Sequence, residues 1–160
     1  MDNVKQMAFS GAWYPADPAG CEGQILDFIE QSPADVVQGL PVGGIVPHAG
    51  WYFSGAIACR VFSALARGLA GQKTADDSHA PAGVARVVLF GGHMRPSDPP
   101  VMLSSGQIDT PLGRIRVDED FGTSLLAGMD LVQKKAARFP DENTLELQYP
   151  FIKFFFPDAC

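Results

Sequence analysis

Two histidines in this chain share one setting, and that setting makes them candidates for chemistry. His48 directly follows the short apolar run Ile45-Val46-Pro47, within residues 43–55, GGIVPHAGWYFSG. His93 directly follows Val87-Val88-Leu89-Phe90 and Gly91-Gly92, within residues 86–93, RVVLFGGH. Proline cannot donate to a sheet ladder, and glycine weakens one, so each run predicts a strand ending just before its histidine. Open α/β sheets bind ligands in the crevice outside the carboxyl ends of their strands. Imidazole is the commonest metal ligand and a frequent general base. Two imidazoles at such strand ends therefore predict a metal or acid–base site. A metal needs a third donor and usually a fourth. Glu142, Glu146, Asp98, Cys59 and Cys160 carry suitable atoms, and spacing selects none of them. The plain alternative is that each imidazole only hydrogen-bonds the loops around a strand end.

The elements that must position these residues can be read in part. Residues 8–17, AFSGAWYPAD, form an ordered loop in which Trp13 and Tyr14 read first as packing aromatics. Asp17 is a good N-cap with Pro18 behind it, predicting a helix to about Gln31 with Ile25, Leu26, Phe28 and Ile29 on its apolar face. Residues 32–44 are a Pro/Gly-rich connection. After Ser54, taken as an N-cap, the apolar residues Ile57, Val61, Phe62, Leu65 and Leu69 predict a second helix. Its N-terminus would sit near His48 and offer N–H groups to an anion. Residues 71–83 read as a polar surface loop carrying His79.

Residues 101–108 and 114–117 are strand-like around the turn Thr110-Pro111-Leu112-Gly113, predicting a hairpin. Asp118 caps a helix carrying Phe121, Leu125 and Leu126. Residues 132–139 are basic and fit no single pattern. Asn143, with Glu146 three residues on, predicts a capping box and a final helix, with Pro150 as a kink or boundary.

Composition narrows the class. The chain has 160 residues, 46% hydrophobic and 19% charged, which predicts one folded domain over 1–160. A net charge of -6 without a Lys/Arg run argues against nucleic acid. Cys21, Cys59 and Cys160 are scattered and odd in number, so neither a disulfide framework nor a zinc ribbon is indicated, and a reducing cytoplasm fits. The start, MDNVKQMAF, has no signal-peptide core, and FIKFFF near the end is too short to span a bilayer, so no membrane is expected. No GxSxG elbow is present, and Cys59 lies inside a predicted helix, which leaves a cysteine hydrolase as the weakest reading.

The succession SGAWYP (10–15), PHAGWYFSG (47–55), LFGGH (89–93), TPLG (110–113), VDED (117–120) and ENTLELQYPF (142–151) resembles the Memo-like family, which includes AmmeMemoRadiSam system protein B. The resemblance runs over almost the whole chain. It implies an α/β fold, a layered mixed sheet with flanking helices, like that of the class III extradiol ring-cleaving dioxygenases. It implies a metal, iron or copper, held by His48 and His93. Trp13, Tyr14, Trp51 and Tyr52 would then be pocket walls, and Glu142, Asn143 and Glu146 would line or orient the site. The implied function is metal-dependent oxidation or metal handling, with a small molecule in the cleft. The competing function is a non-catalytic module that binds a peptide or protein there.

Three departures bear on this. Many relatives have a histidine where this chain has Asn143, which is a poorer metal donor and no proton carrier near neutral pH. The motif before His93 is GGH, shorter than the GPSH common in the family. The family is usually much longer, and its further pocket residues, a cysteine ligand among them, lie in a C-terminal half absent here. The expectation is therefore an N-terminal portion of the fold, with an open sheet edge and an incomplete cleft.

Overall fold

A computed structural model of the chain describes residues 3–31, 39, 41–70 and 86–160. The loop over 71–83 with His79, and most of the 32–40 connection, lie outside the described residues. Helix α1 spans Pro18–Gln31 and starts as the sequence dictates. Asp17 Oδ1 accepts the Gly20 amide at 2.7 Å, and Pro18 needs no hydrogen at the first helical position. Cys21, Ile25 and Phe28 are its buried residues, one every three or four positions.

Helix α2 spans Trp51–Ala70 and begins three residues before the predicted cap. Ser54 is already inside it, and its hydroxyl donates to the Ala49 carbonyl at 3.0 Å. The buried stripe is Trp51, Ser54, Gly55, Ala58, Cys59, Phe62 and Ser63. Ile57, expected on that stripe, faces outward at 60% exposure. The two helices meet at Gly55. A Cβ there would lie 2.6 Å from the Phe28 ring, so only glycine permits this approach.

The rest of the chain supplies small sheets. Strands β1 (Val4–Lys5), β3 (Gln107–Ile108) and β4 (Ile115–Arg116) form one sheet in the order β1-β3-β4. The β1–β3 pair is parallel and the β3–β4 pair antiparallel, the latter closing the predicted hairpin around Thr110 and Gly113. Strand β2 (Val101–Ser105) pairs in parallel with β5 (Val132–Lys135), which gives the ambiguous basic stretch a clear structure. Helix α3 (Glu119–Leu126) is capped by Asp118, whose Oδ1 accepts the Phe121 amide at 2.9 Å. The predicted last helix is two, α4 (Asn143–Glu146) and α5 (Tyr149–Phe155), with Pro150 at the start of the second. The residue that caps α4 is Glu142, one position before the expected Asn143.

Helices α1, α2 and α5 enclose the core. Trp51 stacks on Phe151 at 4.3 Å, and Phe62 stacks on Phe151 at 5.5 Å. Full burial of side chains of this size contributes about 1.5–3 kcal/mol each. The fold is thus mixed α/β. Among the described residues, no helix is long and apolar enough to cross a membrane.

One expectation needs correction. The strands predicted before His48 and His93 are not part of any described sheet; residues 41–50 and 86–93 carry no regular structure. The apolar run does alternate as a strand would. Val87 and Leu89 are half-buried against the core, while Val88 and Phe90 point away, at 48% and 88% exposure. Ile45 is 96% exposed. Among the described residues, nothing pairs with these backbones to make them strands, and nothing covers their outer face.

Candidate functional site

The loops that carry the two histidines converge although neither belongs to a sheet. The rings of His48 and His93 lie 5.2 Å apart, centre to centre, and cross at 84°. Both residues are exposed.

Two consecutive residues of the α4 entry hold the two loops. Asn143 Nδ2 donates to the His48 carbonyl at 3.1 Å. The preceding carbonyl, that of Pro47, accepts Gln148 Nε2 at 3.1 Å. On the other side, Glu142 Oε1 meets His93 Nδ1 at 3.0 Å, and Oε2 accepts the His93 amide at 3.2 Å. Glu142 Oε1 also accepts the Thr144 amide at 3.1 Å, as the cap of α4. Gly91 fits tightly beneath. A Cβ there would lie 2.6 Å from Thr144 Oγ1 and 2.8 Å from Leu145 Cδ2. Gly92 follows with a φ of +126°, a backbone that side chains rarely adopt. The short GGH turn therefore has a physical reason: the first glycine permits contact with α4 and the second permits the bend.

These contacts select which ring nitrogen of His93 carries a hydrogen. Burial pushes the Glu142 carboxyl up, but hydrogen bonds from Thr144 and His93 outweigh it and hold the group below the ordinary glutamate value. A carboxylate only accepts, so Nδ1 carries the hydrogen, and the Nε2 lone pair of the neutral ring is left free. This is the arrangement in which an outer carboxylate fixes a metal-binding imidazole.

The other expected site residues divide. Trp13 is 40% exposed, and its carbonyl accepts the Trp51 amide at 2.9 Å, so it stands at the His48 loop. Tyr52 is 89% exposed beside it. Trp51, expected as a pocket wall, is instead core: it is 2% exposed and its Nε1 donates to the Leu147 carbonyl at 3.0 Å. Tyr14 is likewise buried, and its hydroxyl donates to Glu146 Oε1 at 3.0 Å. Burial, with the Glu146 charge next in weight, pushes that phenol far above its usual range. Among the described residues, Glu146 bonds to no histidine. Its two oxygens accept the Ala8 and Phe9 amides at 3.0 and 2.7 Å and fasten the N-terminal loop to α4.

The remaining donors do not gather. Cys59 is fully buried against α1, its thiol pushed up to about 12 by burial. Asp98 accepts the Arg95 amide in its own loop. Among the described residues, no group of three or more His, Cys, Asp or Glu is placed to hold a metal. The anion reading of the α2 N-terminus also falls. The amides of Trp51, Phe53 and Ser54 are already bonded to the carbonyls of Trp13 and Gly50.

A family model described as "Memo-like protein" matches residues 5–159. The chain belongs to the Memo-like family. It is similar to a MEMO1 family protein of Pyrobaculum arsenaticum, 30% identical over 98% of this chain and 53% of the relative. It is similar also to one of Pyrobaculum aerophilum, 32% identical over 76% of this chain and 39% of the relative. A MEMO1 family protein of Methanobrevibacter smithii is 31% identical over 97% and 54%. This Memo-like chain thus spans about half the length of the curated relatives it matches.

Proposed function

We propose that this Memo-like chain binds one transition-metal ion, iron or copper, at His48 and His93. The observation that carries the reading is the 5.2 Å separation of the two rings. Two imidazoles sharing one ion at a metal–nitrogen distance of about 2.0–2.1 Å have their ring centres roughly 5 Å apart when the angle between them is near tetrahedral. The free Nε2 of His93 adds a second point of fit. The pair supplies two nitrogen donors and leaves the other positions to water or to groups from elsewhere. A bound iron or copper ion would supply redox chemistry and polarise a small molecule at an open position.

The roles of the chain's own residues follow. His48 and His93 bind, Glu142 fixes the ring of His93, and Asn143 fixes the loop of His48. We infer further that the frame is the N-terminal portion of the layered sheet found in class III extradiol dioxygenases, and that the site belongs to an oxidative or metal-handling activity in the cytoplasm.

The test is metal titration of the purified chain. One equivalent of copper or of iron under reducing conditions is expected to bind, and His48→Ala and His93→Ala should each abolish it. Binding that survives both substitutions would refute the reading. A second reading, a metal-free module for a peptide, is favoured by the exposed aromatics Tyr52 (89%) and Phe53 (78%) in the first turn of α2, which follows the His48 loop. Peptide binding without metal, lost in Tyr52→Ala, would support it.

A further inference from the structure

Strand β5 is bonded on one side only. It pairs in parallel with β2, Val132 opposite Val101 and Lys134 opposite Leu103. Among the described residues, no strand lies on its other side, and all four of its residues are exposed. In a parallel pair, successive residues of a strand turn their N–H and C=O groups alternately toward the neighbour and away from it. The Val132 amide donates to the Pro100 carbonyl at 2.9 Å, and the Lys134 carbonyl accepts the Ser104 hydroxyl at 3.2 Å. Val132 and Lys134 therefore face β2, and the backbone groups of Gln133 and Lys135 face outward. The register shift falls in β2, between Leu103 and Ser105, so the alternation along β5 is kept.

The edge is anchored at its far end. Ala136, the next residue, is fully buried, and the Ala137 amide donates to Asn3 Oδ1 at 3.2 Å. Its charge is concentrated and unspent. Lys134, Lys135 and Arg138 are exposed, and among the described residues none of them has a carboxylate partner. They stand within five positions of a chain whose net charge is -6. Lys134 and Lys135 alternate between the two faces of the strand, so the edge is cationic on both. Of the nearby carboxylates, Asp141 is held by Lys5, and Asp130 lies before the strand begins.

Lysines along an open edge reject a second edge of the same kind, because pairing would set ammonium against ammonium. The same charges attract a strand of opposite sign. We propose that the outer edge of β5 binds an extended acidic segment of a partner protein by strand addition, with its backbone on Gln133 and Lys135 and its carboxylates on Lys134, Lys135 and Arg138. Main-chain hydrogen bonds supply the attachment and the side-chain charges supply the selectivity. A nucleic acid fits less well. Its phosphates offer no N–H to the outward carbonyls, and the chain as a whole repels it. This surface is distinct from the histidine pair, and no metal takes part.

The test is a titration of the nitrogen-15-labelled chain with the peptide Glu-Val-Glu-Val-Glu-Val. The amides of Gln133 and Lys135 are expected to shift, and their hydrogen exchange to slow about 10-fold or more at saturation. The Val132 amide, already bonded to Pro100, should change little. Lys134→Glu combined with Lys135→Glu should weaken binding by about 10-fold or more, and the corresponding pair of glutamine substitutions by less. Unchanged amide spectra of α1 and α2 verify that both variants fold. The same peptide N-methylated at every amide keeps its charge but loses its donors, and it should bind far more weakly. Five results would overturn the proposal. They are no binding of the peptide, equal binding of the N-methylated form, shifts confined to residues away from β5, full affinity in the glutamate variant, and Gln133 and Lys135 amides already protected in the free chain. The second would mean attraction of any polyanion, and the last would mean that a second copy occupies the edge.

Discussion

Glu142 grips His93 at two points, the ring nitrogen at 3.0 Å and the backbone amide at 3.2 Å. The first contact selects a tautomer and the second fixes the loop. Removing the carboxylate in Glu142→Ala is expected to lower metal affinity about 10- to 100-fold, the usual effect of losing such a partner. Nitrogen-15 NMR of the metal-free protein gives an independent readout: the His93 ring should change from one tautomer, hydrogen on Nδ1, to a mixture. An unchanged spectrum would show that the carboxylate does not orient the ring.

Glu146 should matter for stability and not for metal. It is 2% exposed and accepts from two amides and the Tyr14 hydroxyl. Glu146→Ala leaves the buried Tyr14 hydroxyl and two part-buried amides without this partner and is expected to cost about 3 kcal/mol. Glu146→Gln keeps one carbonyl acceptor and should cost less. Urea unfolding measures both, and faster amide exchange at Ala8 and Phe9 would locate the damage.

The acid limb of stability should depend on Asp118. Its carboxyl is held below the ordinary aspartate value, first by the Phe121 amide and next by Arg86, which pairs with it at 2.5 Å. A group with a lowered folded value stabilises the fold above its unfolded value, near pH 3.9, and that contribution disappears as pH falls through the lowered value. Asp118→Asn is expected to flatten the stability profile below about pH 4. Urea midpoints across pH 2–6 would reveal a slope identical to the parent's if the idea is wrong.

Gly106 is a sharp backbone test. Its φ is +105°, and an added Cβ would lie 2.3 Å from the Asn3 carbonyl oxygen. Gly106→Ala must strain the turn between β2 and β3 and push β1 aside, at an expected cost of about 2 kcal/mol or more. Thermal unfolding reports it. A melting temperature equal to the parent's would mean that this junction is loosely built.

Local signals in the sequence gave the helices and the hairpin. Asp17-Pro18, Asp118 and the turn at 110–113 each act through bonds within a few residues, so their effect is visible in a short window. The convergence of His48 and His93 was legible only as a repeated context. What brings them together is α4, some 50 and 95 positions distant along the chain. No periodicity marks Glu142 and Asn143 as the two braces.

The aromatics misled for a similar reason. Trp51 and Tyr14 sit beside the loop residues expected to form a pocket, yet helix phase turns Trp51 onto Phe151, and Glu146 draws the Tyr14 hydroxyl inward. Apolar runs such as 87–90 look like interior strands because composition cannot tell whether a second layer is present to cover them.

The attachment of the first residues has a consequence for synthesis. Val4 pairs with Gln107, Lys5 with Ile108 and Asp141, and residues 8–14 hang on Glu146. Residues 4–14 are translated before α1 and α2 and yet find their place after them. Ala8 and Phe9 must wait, solvated and unanchored, for Glu146, 138 and 137 positions later, while α1 and α2 can already pack on each other.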